Sequence, residues 1–166
     1  LNPVKFFQNL KDVVIFTFST SSSSASIPFT LKAAEEKYGI DKSISTFTVP
    51  LGATINMDGT AIMQGCATFF LASLYGIDLG INEIITIVIT ATIASIGTAG
   101  IPSAGIVMLT VIFTQIGIPL EGITLLLGVD RLLDMMRTSV NVSGDLCISC
   151  VIASSEKKIN KKLFNS

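Results

Sequence analysis

One stretch of the sequence, residues 130–145, places five polar or charged side chains at the spacing of a single helical face. At about 100° per residue, these side chains fall within roughly 80° of arc. The segments on either side are apolar, and an ionisable group inside a membrane costs about 2.5–3.5 kcal/mol to insert. The stripe must therefore face protein, ions or water, which makes it the first candidate for a binding site. Its members are Asp130, Asp134, Arg137, Asn141 and Asp145.

The residue types of the stripe suit a ligand that carries both carboxylate and ammonium groups. Arg137 offers a planar guanidinium for bidentate contact with a carboxylate, and Asp134, one turn away, is suited to an ammonium group. The amino ends of half-helices expected after Pro28 and Pro102 add partial positive charge for a second carboxylate. These features predict an acidic amino acid as the ligand.

The predicted core carries more acids than arginines, and this surplus favours bound cations. Carbonyls of backbone predicted to be unwound, at residues 52–58 and 95–98, would supply the oxygen ligands that a hard cation such as Na+ prefers. Arg131 lies about 100° from Asp130 and is expected to extend outward. Asp130 with Arg137 also fits a purely structural ion pair. The acids are Asp58, Asp130, Asp134 and Asp145, and the arginines are Arg131 and Arg137.

The composition predicts a membrane protein. The 166 residues are 49% hydrophobic and 14% charged, with a mean hydropathy of +0.70, whereas soluble domains carry about 25% charged residues. The absence of histidine excludes an imidazole metal site, and the net charge of −1 disfavours a nucleic-acid partner. Cys147 and Cys150 have the spacing of a redox pair, but within an apolar helix they are interpreted as small packing residues. Because the chain begins at Leu1 without a signal peptide, we expect a fragment of a longer protein.

The distribution of lysines and apolar segments predicts the topology. All nine lysines lie before residue 43 or after residue 156, so both ends are expected on the cytoplasmic side by the positive-inside rule. A re-entrant hairpin followed by a transmembrane helix is predicted twice, in opposite orientations. This is the inverted repeat of a secondary transporter. The predicted fold class is an all-α membrane protein with two re-entrant helical hairpins and two transmembrane helices, one of them broken. The segments are re-entrant hairpin 1 (1–42), a first, broken transmembrane helix (43–77), re-entrant hairpin 2 (78–118), a second transmembrane helix (119–156) and a cytoplasmic tail (157–166).

Both predicted hairpins are interrupted at their midpoints by small residues followed by proline. Residues 19–26 precede Pro28, and residues 95–100 precede Pro102. A serine run is often a flexible linker, but apolar residues on both sides favour a break between two half-helices. Proline is tolerated at the start of a helix because its missing N–H needs no partner there. We expect the two tips to meet inside the membrane.

These motifs resemble the dicarboxylate/amino acid:cation symporter family, which includes the glutamate transporters. The matching stretches are the serine-rich tip 21–24, the segment 50–60 with its NMDGT motif, GTAGIP at 97–102, and D-x-x-R-T-x-x-N-x-x-G-D at 134–145. They follow one another over nearly the whole chain. The resemblance implies the transport-core half of a glutamate-transporter-like fold. The scaffold helices would lie outside this chain, and the full-length protein would be a homotrimer.

The resemblance also implies roles for the side chains that would contact the substrate. Arg137 would hold the side-chain carboxylate of the substrate, supported by Thr60. Asp130 would position that arginine. Asp134 and Thr138 would bind the amino group.

Four further residues would complete the substrate site. By resemblance, Asn141 and the backbone of Ser23 would hold the α-carboxylate. Ile101 and Gly105 would belong to a lid formed by hairpin 2. No cofactor is expected apart from Na+ as the coupling ion.

Three sodium sites are implied by the same resemblance. The first would combine Asp145 with carbonyls of Gly52, Asn56 and Asn141. The second would use carbonyls of Thr54, Ser95, Ile96 and Thr98. The third would use the side chains of Asn56 and Asp58, completed by an earlier helix outside this chain.

The expected function is symport of aspartate or glutamate with Na+. The protein is expected to be a multi-pass protein of the cell (inner) membrane that contacts the lipid bilayer and has a cytoplasmic C-terminus. Asp134 and Arg137 favour an acidic amino acid over C4-dicarboxylates and neutral amino acids. A proton-coupled glutamate or dicarboxylate symporter and a cystine symporter of the same family stay open as alternatives. An enzyme is not expected, since an intramembrane protease would need a general base near the serines. A cation channel is disfavoured by the arginine in its path.

Overall fold

The computed structural model describes residues 1–165, and helices account for nearly all of its regular structure. Within these residues there is no strand, only an isolated antiparallel bridge between Ile40 and Ile159. The all-α class predicted from the sequence is therefore confirmed. The elements are α1 (Pro3–Thr20), α2 (Ser23–Glu36), α3 (Lys42–Ile55), α4 (Asp58–Leu74), α5 (Ile81–Ile96), α6 (Ala104–Val107), α7 (Leu109–Ile116), a 3-10 turn (Leu120–Gly122), α8 (Ile123–Ser155) and α9 (Lys161–Phe164).

None of the helices in residues 1–165 combines the length and the sustained hydropathy that a membrane span requires.

Helices α1 and α2 form an antiparallel hairpin with a two-residue turn. Ser21 takes the left-handed conformation that ends α1, and the hydroxyl of Ser22 caps α2 by accepting a hydrogen bond from the Ala25 amide at 3.1 Å. At the far end of the hairpin, Lys37 forms an ion pair with Asp12. Ser22 satisfies an amide of α2 that lacks a helical partner. The serine run therefore forms a structured tip and not a flexible linker.

The prediction that Pro28 begins the second half-helix is wrong. Helix α2 begins at Ser23, and Pro28 is its sixth residue. The cap supplied by Ser22 starts the helix before the proline is reached. The positively polarised amino end of α2 therefore lies within the tip of the hairpin, closer to α8 than the sequence pattern indicated.

The break between α3 and α4 is shorter than predicted. Only Asn56 and Met57 lie outside the helices, and the Gly52 carbonyl accepts a regular helical hydrogen bond from the Asn56 amide at 2.8 Å. The expectation of unwound backbone is therefore wrong for residues 52–55 and for Asp58, which begins α4, and likewise for Ser95 and Ile96, which end α5. Helix α3 continues through Pro50, although proline has no N–H to donate to the ladder.

Helix α8 is the central element, since every other long helix except α5 and α7 packs against it. Its 33 residues span about 50 Å. One apolar cluster, formed with α1, α2, α3 and α9, surrounds the end of α8 near Leu146 and Ala153. A second, formed with α4, α5 and α7, surrounds Leu126 near its start. The polar stripe of α8 lies between these two clusters, which hold it in place.

Candidate functional site

All eight predicted substrate-binding residues line one cavity at the middle of α8. Four belong to α8, and the others come from the start of α2, the first turn of α4, the segment between α5 and α6, and α6 itself. The cavity measures about 10 Å³, which is room for about one water molecule. The predicted residues are Ser23, Thr60, Ile101, Gly105, Asp134, Arg137, Thr138 and Asn141, and the lining also includes Ser21, Met57, Thr98, Ala99 and Gly100.

Arg137 is the buried cation of this cavity, with 5% of its surface exposed. Its Nε donates a hydrogen bond to Oδ1 of Asp134 at 2.8 Å, and its Nη2 lies 2.8 Å from the same oxygen. Nη1 lies 3.6 Å from Oδ1 of Asp130. Among the described residues neither Nη1 nor Nη2 has a partner in hydrogen-bond geometry. The guanidinium therefore keeps donors for an oxyanion in the cavity.

Asp134 connects α8 to the turn that precedes α6. Its Oδ2 accepts a hydrogen bond from the backbone amide of Ser103 at 2.8 Å, and Ser103 has a left-handed backbone with φ of 61°. Sequence reasoning missed Ser103 because the contact uses the backbone and leaves no side-chain signal. Both oxygens of Asp134 are thus engaged in the structure, one with Arg137 and one with this turn.

Asn141 caps the amino end of α4 from a neighbouring helix. Its Oδ1 accepts hydrogen bonds from the amides of Gly59 at 2.8 Å and Thr60 at 3.3 Å. Its Nδ2 donates to Oγ1 of Thr60 at 3.2 Å. Met57, which stands where an N-cap side chain would be, provides no such acceptor. Asn141 therefore satisfies amides that α4 itself cannot satisfy.

Gly105 lies directly against the guanidinium of Arg137. A β-carbon added at Gly105 would be 2.6 Å from Nη1, so any larger residue at this position forces a neighbouring group to shift. The Gly105 carbonyl accepts a hydrogen bond from Nε2 of Gln64 at 3.2 Å, and Gln64 is fully buried. Sequence reasoning missed Gln64, although its place four residues after Thr60 puts it on the same face of α4.

The turn between α1 and α2 contacts the turn after α5. The Gly100 carbonyl accepts hydrogen bonds from the Ser24 amide at 3.1 Å and from the Ser22 hydroxyl at 2.8 Å. A β-carbon at Gly100 would approach the Ser24 hydroxyl oxygen to 2.6 Å. The glycine thus permits a close contact that covers one side of the cavity.

The residues predicted for the first and third sodium sites lie close together. Oδ1 of Asp145 accepts a hydrogen bond from Nδ2 of Asn56 at 2.9 Å, and a β-carbon at Gly52 would be 2.7 Å from the Asp145 carboxylate carbon. Asp58 lies on the other side of Asn56, since a β-carbon at Gly144 would contact both side chains. The prediction that Asp58 is buried is wrong, because it is exposed at the start of α4.

The second predicted sodium set lies at the carboxyl ends of α3 and α5. Thr54 is in the last turn of α3 and Ser95 and Ile96 end α5, and the two helices contact each other. Thr98 follows, and its amide donates to the Ser95 carbonyl at 3.1 Å. Helix carboxyl ends carry partial negative charge, which suits a cation. Over residues 1–165 no three acidic or cysteine side chains converge in the way a multivalent metal site needs.

Comparison with known proteins identifies the family. The family model of the sodium:dicarboxylate symporter family matches residues 1–155. Excitatory amino acid transporter 3 of Mus musculus and of Homo sapiens are each 46% identical over 157 residues, which is 95% of this chain and 30% of the relative. Excitatory amino acid transporter 1 of Rattus norvegicus is 50% identical over 144 residues, 87% of this chain and 26% of the relative.

The chain spans about 30% of the length of these curated relatives. By their names, these relatives are transporters. Since the family model covers residues 1–155, the chain belongs to the sodium:dicarboxylate symporter family.

Proposed function

We propose that the protein containing this chain is a secondary active symporter that imports aspartate or glutamate together with Na+, and that this chain is its transport core. The observation that carries the proposal is the buried guanidinium of Arg137, whose Nη1 and Nη2 have no hydrogen-bond partner among the described residues and which lines a cavity with the seven other predicted residues. The names of the excitatory amino acid transporters support the same substrate class.

The substrate would use the charges that already lie in the cavity. Its side-chain carboxylate would accept hydrogen bonds from Arg137, supported by Thr60 and with Asp130 holding the guanidinium from the other side. Its ammonium group would contact Asp134 and Thr138. Bidentate binding of a carboxylate by arginine adds directional preference to charge attraction, so a substrate with two carboxylates is favoured.

The α-carboxylate would lie at the amino end of α2. The backbone of Ser23 begins this helix, and a helix amino end carries about half a positive charge. Asn141 would contact the same carboxylate through its Nδ2. Each charged group of the substrate would thus have a polar partner in the cavity lining.

Sodium would bind at three places around this cavity. Asp145 and the carbonyls of residues 52, 56 and 141 would form the first site, and the carbonyls of residues 54, 95, 96 and 98 the second. Asn56 and Asp58 would contribute to the third. Oxygen ligands of this kind suit a hard cation. Each Na+ that moves through a potential of 100 mV adds about 2.3 kcal/mol to accumulation of the substrate.

The segment that carries Ile101 and Gly105 would act as a lid. A cavity of about 10 Å³ holds about one water molecule and not an amino acid, so the lining must move when substrate enters. The segment of residues 97–103 contains no helical residue, and helix α6 after it has four. It therefore has fewer backbone hydrogen bonds to lose than α4 or α8, which form the other walls.

We further propose the membrane arrangement that the sequence predicts. Residues 1–42 and 78–118 would be re-entrant hairpins, residues 43–77 and 119–156 would cross the bilayer, and the C-terminus would be cytoplasmic. Large apolar side chains on the outer surface support this arrangement, with Phe7 68% and Phe47 67% exposed, because such surfaces in proteins are covered by lipid or by other protein. Scaffold helices of the same protein would cover the rest and form a homotrimer.

Uptake of labelled L-aspartate by the full-length protein in proteoliposomes tests the function. An inward Na+ gradient should drive accumulation that excess glutamate blocks, and a proton gradient alone should not. Uptake driven only by protons would refute Na+ coupling. If neither gradient drives aspartate uptake while cystine or a C4-dicarboxylate is accumulated, the acidic amino acid assignment is wrong.

The Arg137→Lys variant tests the binding site itself. Lysine keeps the charge but loses the bidentate geometry, so the apparent affinity for aspartate should fall by about 10- to 150-fold, given that a hydrogen bond to a charged group contributes about 1.5–3 kcal/mol. Arg131→Lys is the matched control, since Arg131 is an exposed arginine on the same helix, and its affinity should stay within twofold. A protease or a pore would retain its activity in both variants.

A further inference from the structure

The C-terminal segment, residues 156–165, folds back onto the connection between α2 and α3. The Lys158 carbonyl accepts a hydrogen bond from the Asp41 amide at 3.0 Å, and the Asn160 amide donates to the Gly39 carbonyl at 2.8 Å. Gly39 has a φ of +66°, and a β-carbon there would lie 2.7 Å from the Asn160 carbonyl oxygen. The backbone of the segment is therefore fixed against the body of the protein.

The side chains of the segment divide into a buried and an exposed set. Phe164 is fully buried and lies 6.1 Å from the ring of Tyr38, while Nδ2 of Asn9 donates to its carbonyl at 3.2 Å. Burial of a phenylalanine contributes about 1.5–3 kcal/mol, which adds to the backbone hydrogen bonds of the segment with Gly39 and Asp41. With Phe164 turned inward, the charged side chains of the segment face outward.

Three lysines of the segment are exposed and have no carboxylate partner. Lys157, Lys161 and Lys162 are exposed, and among residues 1–165 no carboxylate lies within 4 Å of their ammonium groups. Lys158 differs from them, because its ammonium group donates to the Ser43 hydroxyl at 2.9 Å. We call the surface formed by Lys157, Lys161 and Lys162 the basic surface.

The basic surface lies at the positive end of a strongly asymmetric molecule. All nine lysines and five acids lie in residues 1–42 and 156–162, a surplus of four positive charges. Helices α1, α2 and α9 pack around the carboxyl end of α8. The loops toward the other end, residues 78–83 and 117–121, carry acids and no basic residue. Charge of this size at one end attracts an anionic partner over about 8–10 Å at physiological ionic strength.

Exposed apolar side chains lie at the same end. Phe7 in the second turn of α1 and Phe47 in the second turn of α3 are both more than two-thirds exposed. Aromatic and aliphatic residues next to lysines are typical of a membrane interface, where the apolar side chains enter the acyl region and the ammonium groups meet the headgroups. This combination favours a lipid surface over a soluble protein or a nucleic acid.

We propose that the basic surface binds the phosphate groups of anionic phospholipids at the membrane face. This inference rests on the membrane arrangement of the proposed function and is independent of its substrate and coupling ion. Each lysine near an anionic surface strengthens binding about fivefold, so three should together contribute about 100-fold at low ionic strength. Because the lysines are exposed, this contribution should decrease strongly with salt.

Lipid retention by the full-length protein tests the proposal. The protein is reconstituted in phosphatidylcholine containing one-fifth phosphatidylglycerol, extracted in mild detergent, and the retained lipids are quantified by mass spectrometry. The wild type should retain phosphatidylglycerol several-fold above its share of the bilayer. The triple variant Lys157→Gln, Lys161→Gln, Lys162→Gln should lose most of this enrichment, and 1 M NaCl during extraction should reduce the wild type to the same level.

Two controls separate this surface from general positive charge and from free anions. Lys32→Gln removes an exposed lysine that pairs with Glu36 at 4.0 Å. The phosphatidylglycerol enrichment of this variant should equal that of the wild type. Inorganic phosphate at 10 mM should not displace the retained lipid. Equal enrichment in the wild type and the triple variant, or displacement by phosphate, would overturn the proposal. In pure phosphatidylcholine, the triple variant and the wild type should unfold at the same temperature. This result excludes misfolding as the cause of a loss of phosphatidylglycerol enrichment.

Discussion

A methyl group at Gly105 tests whether the segment over Arg137 closes as a lid. The added β-carbon would lie 2.6 Å from Nη1 and 2.9 Å from Cζ of Arg137, and 3.2 Å from Cγ2 of Thr60. Distances below 3.0 Å essentially never occur for a real β-carbon. Either the guanidinium or the backbone of the lid must therefore move.

The two responses differ in energy. Displacing the guanidinium would break its 2.8 Å contacts with Asp134, and loss of a buried ion pair costs about 3–5 kcal/mol. Overpacking relieved by a small backbone shift costs about 1–3 kcal/mol. The lid should therefore move and the ion pair should persist. The apparent affinity for aspartate scales with the fraction of protein in which the lid can close. A penalty of about 1–3 kcal/mol on lid closure therefore lowers this affinity by about 5- to 150-fold.

Concentration dependence of aspartate uptake measures this decrease. Gly105→Ala should raise KM by the predicted factor and leave the thermal unfolding temperature nearly unchanged, since the opened lid relieves the clash. Gly65→Ala is the matched control, because a β-carbon there has no atom within 4 Å. Its KM should equal that of the wild type, and its helix should gain up to about 1 kcal/mol. A KM within twofold of wild type for Gly105→Ala would refute closure over Arg137.

Two further changes probe the ion site and the pH dependence of stability. Gly52→Ala would place a β-carbon 2.7 Å from the Asp145 carboxylate carbon. Because overpacking costs about 1–3 kcal/mol, this variant should raise the Na+ concentration for half-maximal uptake about 5- to 150-fold. Gly128→Ala is the control, since a β-carbon there has no atom within 4 Å, and its Na+ dependence should equal that of the wild type. Equal Na+ dependence in the two variants would contradict the proposed sodium site. Hydrogen bonds from Ser43 lower the pKa of Asp41, which caps α3. Because the folded pKa is depressed, the stabilisation is present above the unfolded value of about 3.9 and is lost as pH falls through the folded pKa. The unfolding temperature should therefore fall more between pH 5 and pH 2 for wild type than for Asp41→Asn, and parallel curves would exclude this cap as a contributor.

The helical spacing of α8 was the most informative feature of the sequence. Residues three and four apart on a helix are neighbours, so Asp130, Asp134 and Arg137 could be expected to meet. The guanidinium of Arg137 lies 2.8 Å from Oδ1 of Asp134 and 3.6 Å from Oδ1 of Asp130. The small residues and prolines of the tips indicated two turns at the right places. They did not predict that Ser22 would cap α2 ahead of Pro28, because capping and proline signals both mark a helix start and only the fold decides between them.

Contacts made by backbone atoms were beyond sequence reasoning. The Ser103 amide binds Asp134 and the Gly105 carbonyl binds Gln64, and neither contact depends on the type of the backbone residue. The exposure of Asp58 was missed for another reason. Its polarity inside an apolar stretch indicated burial within the site, but the first residue of α4 faces outward, and charge alone does not determine which side of a helix faces the core.

The ion pair between Asp134 and Arg137 has a consequence for which ligands the proposed site accepts. In the structure these two residues neutralise each other, with 2% and 5% of their surfaces exposed. A ligand that brings only a carboxylate to Arg137 would weaken this contact and leave Asp134 buried without a cation, at a cost of about 3–5 kcal/mol. A ligand that also brings an ammonium group within reach of Asp134 replaces both halves of the pair and avoids that cost. The pairing therefore favours amino acids over dicarboxylates that lack the amino group, and the selection follows from an internal contact and not from the shape of the cavity.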